Sequence, residues 1–242
     1  MIVGIKSIKI EGTDDPFKIG AFAFSYTNDF DRSLLDDLIA QANRQAGTVN
    51  SGAANQGATS RPLAIKIVDS FAGLLAEYCW KYFINLIAID VVVTETQMVT
   101  ARTQIDLRVL KNNKSIEIRS SIVRNGILFA ITHPEYAFNL IGPYENEYKP
   151  HEGQKSYYLG ALLDFSGEKK DFLDFVRATN KESKLKVWLV AGATRDMMIK
   201  DGVEKGMAAG DTAAGNSKYK TMKVTNSLDA IAVAKLIISE SN

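Results

Sequence analysis

"QIDLRVLKNNKSIEIRSS", residues 104–121, holds two short apolar–polar alternations joined by KNNK at 111–114. Side chains two apart on a strand share a face, so Glu117 and Arg119 point one way while Ile116 and Ile118 point the other. The joining turn is short, which predicts antiparallel pairing of the two strands and lets Asp106 approach Glu117. Carboxylates brought together repel. A divalent cation removes that cost and takes their oxygens as ligands, and magnesium prefers hard oxygen donors. The plain alternative is an exposed two-stranded ribbon in which Asp106 and Glu117 pair with Arg108 and Arg119 across the strands.

Working outward, the pattern predicts a helix from about Leu63 to Ile84, with Pro62 suited to its first turn. Ile67, Phe71, Leu74, Leu75 and Tyr78 recur on it at helical spacing, and Glu77 sits among them. Glu77 is either a third acid of the site or a solvated residue paired with Lys81 at i,i+4. The β-branched run LIAIDVVVTETQ at 86–97 reads as a buried strand ahead of the opening pair. GILFAIT at 126–132 reads as a further strand, and HPEYAFNLIGPYENEYKPHEG at 133–153 as irregular. KSYYLGALLDF (155–165) and KLKVWLVAGAT (184–194) read as strands, KKDFLDFVRATN (169–180) and RDMMIKDG (195–202) as helical.

Before this core, IVGIKSIKIEG (2–12) and AFAFSYTND (21–29) read as two strands. A helix over 33–47 follows, capped by Asp31 or Ser33. The last element is an amphipathic helix over 226–240 capped by Asn226 or Ser227. Two stretches of small and polar residues, 47–61 and 206–220, read as ligand-facing loops or as surface loops without a partner. In them Asn50, Asn55, Gln56, Arg61, Asn216 and Lys218 have groups suited to base edges or phosphates, and Ser120 is a further phosphate-contact candidate.

Bulk properties narrow the field. The 242 residues are 46 % hydrophobic and 24 % charged, ordinary for a globular chain with a sizeable core. A formal net charge of +1 argues against a binder working by bulk positive charge, but not against an enzyme with a basic cleft. Cys79 is the sole cysteine, so no internal disulfide forms, and its apolar helical setting makes it a core residue. One cysteine with His133 and His151 cannot build a structural zinc site. No apolar run reaches spanning length and the N-terminus has no signal-peptide pattern, which reads as a soluble cytoplasmic protein.

Asp106, a spacer of about ten residues, then Glu117-x-Arg119 on an apolar strand, with Glu77 on the preceding helix, resembles the PD-(D/E)XK nuclease superfamily. The resemblance spans roughly residues 63 to 165. It implies a mixed α+β domain with a restriction-endonuclease-like core, a central mixed sheet flanked by helices, over about 63–200. The elements at 1–46 and 226–240 are then additions within one domain spanning 1–242. It implies a Mg2+-dependent DNA endonuclease, with Mn2+ as a substitute and a homodimer to cut both strands. Glu77, Asp106 and Glu117 would form the metal site. The family usually has lysine where Arg119 stands, and arginine is a poor general base. Arg119 would then contact phosphate. The missing role passes to Lys155 first and Lys81 second. Two other readings stay open: an inactive nuclease-fold DNA-binding module, and an unrelated α/β protein that binds a nucleotide or metabolite.

Overall fold

A computed structural model describes residues 1–10, 15–48, 62–95, 106–145, 155–206 and 218–241. Its central sheet has the strand order β1-β2-β8-β7-β5-β4-β3, with the short β11 alongside β8. The strands are β1 (Ile2–Ile8), β2 (Phe17–Phe24), β3 (Val93–Glu95), β4 (Leu107–Val109), β5 (Ser115–Val123), β7 (Tyr157–Asp164), β8 (Leu185–Thr194) and β11 (Leu228–Asp229). Only β5 and β7 run parallel, so the sheet is mixed. A second sheet of order β6-β10-β9 is built from β6 (Asn139–Glu145), β9 (Val203–Gly206) and β10 (Lys218–Lys223).

The central strands explain themselves. Tyr157 to Leu163 of β7 and Val187 to Ala193 of β8 are almost wholly apolar, as strands covered on both faces must be. One face carries α1 (Asp29–Thr48), α2 (Leu63–Ile87), α4 (Phe172–Ala178) and α6 (Ala230–Ser239) over the main core, which includes Phe71, Trp80, Phe83, Leu159, Val187 and Leu189. Cys79 is fully buried there, and burial pushes its thiol well above the usual range. On the other face, α3 (Gly126–Thr132) and β1 cover Leu162 and Val190, while α5 (Arg195–Asp201) and the second sheet cover Tyr158 and Ala193. A Cβ on Gly192 would stand 2.6 Å from both Leu159 and Val233, so the bare glycine lets α6 lie close on β8.

Several expectations need correction. GILFAIT is the helix α3, not a strand: Ile127, Ala130 and Ile131 are buried at helical spacing, and Gly126 enters at φ 78°. Residues 86–97 are not one long strand. The helix α2 continues to Ile87, and only Val93–Glu95 form β3. Asn85 sets this boundary, accepting the Val92 and Val93 N–H groups at 2.9 and 3.1 Å and donating to the Val93 carbonyl. Within 133–153, Asn139–Glu145 form β6, while the stretch 206–220 begins at the end of β9 and ends within β10, and residues 146–153 and 207–217 lie outside the described residues. β2 begins at Phe17, ahead of the expected 21, and α1 begins at Asp29 with Asn28 accepting the Asp31 N–H. Asp31 instead accepts the Ser25 N–H and binds the chain's terminal ammonium. Asp229, not Asn226 or Ser227, caps α6 by accepting the Ala232 N–H at 2.7 Å. Of the terminal elements, β2 pairs with β8 and α6 packs into the main cluster. No helix among the described residues is long and apolar enough to cross a membrane.

Candidate active site

The turn KNNK brings the acidic strands together. Asn113 takes the left-handed conformation at φ 60°, which asparagine tolerates better than most residues. Its side chain accepts from Arg108 at 2.6 Å, and Val109 N–H bonds the Lys114 carbonyl. This register pairs Leu107 with Ile116 and Arg108 with Ser115. One step further along the same register, Asp106 comes opposite Glu117. Asp106 Oδ2 accepts the Ile118 N–H at 2.6 Å, which locks the carboxylate onto β5.

Neither acid is a surface residue. Asp106 is 6 % exposed and Glu117 5 %, so the exposed-ribbon reading does not describe them. Arg108 is engaged with Asn113 rather than with an acid across the strands. Glu117 Oε1 meets Arg119 at 2.6 Å, and its Oε2 meets the Lys155 ammonium at 3.3 Å. Lys155 is itself buried. Its place follows from the parallel β5–β7 register, in which Ile116 lies beside Tyr157 and the Ser156 N–H bonds the Ser115 carbonyl. Lys81 is directed elsewhere, to Glu95 at 2.5 Å, so it neither pairs with Glu77 nor reaches Glu117 in this structure.

Glu77 lies on α2. Its carboxyl is held well above the ordinary range, first by burial and then by Asp106, Glu117 and Glu95. Burial and the neighbouring Glu117 push Asp106 up to about 7, against the opposing pull of the Ile118 N–H, Arg119 and Lys155. Three acids from three segments therefore feel one another, with two cations beside them.

Among the described residues, no group of three or more His, Cys, Asp or Glu side chains is placed to hold a metal ion. The donor chemistry nonetheless suits magnesium: carboxylates offer hard oxygens, and Asp106 and Glu117 are both buried at the hairpin. Asp106 and Glu117 would hold such an ion, with Glu77 adjacent.

Ser120 does not join this group: it alternates to the opposite face of β5 from Glu117 and Arg119 and is half-buried. Asn50, Asn55, Gln56, Arg61 and Asn216 lie outside the described residues, as does the side chain of Lys218, whose backbone opens β10. Set against protein-family models, curated proteins and solved structures, the chain gives no match.

Proposed function

We propose that the chain is a magnesium-dependent endonuclease of the restriction-enzyme type, hydrolysing phosphodiester bonds in duplex DNA as a homodimer. The observation that carries this reading is the burial of Asp106 and Glu117 together at the β4–β5 hairpin, with Arg119 and Lys155 on Glu117. The order of α2, β3, β4 and β5 is also the order of helix and strands on which the PD-(D/E)XK resemblance rests. Magnesium, when bound, would hold the scissile phosphate, activate a water and stabilise the leaving oxygen.

The chain's own residues take defined parts. Asp106 and Glu117 would supply the ion's oxygens, with Glu77 as the third candidate. Lys155 takes the role that the family usually gives to the motif lysine, orienting the attacking water and helping to remove its proton. Arg119, a guanidinium, would serve a phosphate oxygen. Arg119 at the lysine position is the specific observation behind the second reading, a nuclease-fold module that binds DNA without cutting it.

Incubation of duplex DNA with the protein and Mg2+ separates the two. Turnover that disappears in Glu117→Ala supports the enzyme. Retained binding with no turnover supports the module. Cleavage undiminished in Glu117→Ala rules out this site.

A further inference from the structure

We infer that Glu240, at the C-terminal end of α6, is a positioning residue for the acidic site: it ties the β4–β5 turn to the start of β7 and so holds Asp106 against β5. Its catalytic consequence rests on the nuclease reading; the tie itself does not. β4 is only three residues long, with two residues paired to β5. Residues 110–113 of the turn are exposed, so little of the surrounding core presses on them. A strand this short needs an outside fastening, because each added ladder bond it lacks is one fewer restraint on its register.

Glu240 supplies that fastening from a third element. Its carboxylate accepts the Tyr157 hydroxyl and pairs with the Lys114 ammonium on the same oxygen, Oε2. Its backbone carbonyl accepts from Asn112 Nδ2 at 2.8 Å. The Lys114 ammonium also lies 5.6 Å from the centre of the Tyr157 ring. Each contact touches a segment that bears a site residue. Lys114 is three residues before Glu117, Tyr157 is two after Lys155, and Asn112 sits in the turn that follows Asp106 and β4. Glu240 approaches from the face of β5 that carries Ile116 and Ile118, opposite Glu117, so it acts on the site through the segments it ties.

Glu240→Gln keeps the side-chain length and the carbonyl that Asn112 uses, but removes the charge that holds Lys114. In the metal-free protein, exchange of the Ile118 amide, which reports the bond to Asp106, is expected to quicken at least about tenfold while amides in the middle of β8 keep their protection. Tyr157→Phe, a milder change, is expected to move Ile118 in the same direction and decides the matter if Glu240→Gln does not fold. On duplex DNA with Mg2+, kcat is expected to fall about tenfold with KM retained, the pattern of a lost transition-state arrangement. Unchanged Ile118 exchange overturns the inference, as does an equal rise across β8. Faster exchange with unchanged kcat overturns the positioning role. A wild-type protein that cuts no DNA ends the nuclease reading, and the exchange comparison still decides the tie.

Discussion

The β7–β8 pair and the β4–β5 hairpin belong to one sheet but follow opposite rules. From Tyr157 to Leu163 and from Val187 to Ala193 every side chain is buried, and nearly all are apolar. At the hairpin the burial is just as deep around Asp106 and Glu117, yet the buried groups are charged. Apolar residues there would cost nothing in desolvation, whereas buried carboxylates stabilise a fold only when paired and hydrogen-bonded. Local rules that hold in the middle of the sheet are broken at one end, which is where function is expected to reside. The centre of this sheet keeps to the rule for a covered core, and its β4–β5 end departs from it.

Substitutions can break that contrast. The largest expected effect is on activity: Glu117→Ala lowers Mg2+-dependent cleavage at least about a hundredfold. Lost pairing with Lys155 and relieved repulsion from Asp106 oppose each other, so its melting temperature stays within about 4 °C of wild type. A steady-state cleavage assay and a thermal melt on one preparation read both. If the melt collapses while cleavage survives, the two ends of the sheet do not differ as described.

Leu159→Ala is the mirror experiment. Leu159 is fully buried in the main core, so truncation is expected to cost about 3 kcal/mol and lower the melting temperature by roughly 6–12 °C. Its effect on kcat per folded molecule is expected to be small, as read by cleavage normalised to the folded fraction. A large loss of kcat without loss of stability would erase the distinction.

A third change sharpens it through pH. Asp106 holds its proton up to about 7 when folded, against 3.8 for an ordinary aspartate. Between these values the folded state binds more protons than the unfolded state, so metal-free stability falls as pH rises through that window. Asp106→Asn removes this contribution. Relative to wild type, the variant is expected to gain stability steadily between pH 4 and 8, measured by urea unfolding in the presence of a chelator. Mg2+ is expected to flatten the wild-type slope, because it binds the deprotonated acids. Equal slopes for both proteins would remove Asp106 as the source. The smallest effect belongs to Arg177→Ala, which breaks an exposed pair with Asp174 at 3.7 Å and is expected to move the melting temperature by no more than about 2 °C.

Much of this was legible in the residues because the patterns were local. SIEIRSSIV is β5 from end to end, and the apolar runs that became β7 and β8 were read as strands. The approach of Asp106 to Glu117 followed from a short turn and a period of two. Other features depended on partners distant in sequence. The end of α2 and the start of β3 are set by Asn85 reaching back to Val92 and Val93, which no propensity reveals. GILFAIT was too short for its apolar run to separate strand from helix, although its 127, 130 and 131 spacing carried the signal. That Lys155 rather than Lys81 meets Glu117 depends on the parallel β5–β7 register, a long-range pairing. The second sheet was missed because β6 includes Gly142 and Pro143 and reads as irregular, and β9 and β10 are short.

Cys79 offers an observational consequence of the packing. It is the chain's sole thiol, lies fully inside α2, and is two residues from Glu77. An alkylating reagent reaches it only when that helix opens. The rate at which the native sequence takes up one label therefore clocks the excursions of the helix that carries Glu77, with no engineered probe.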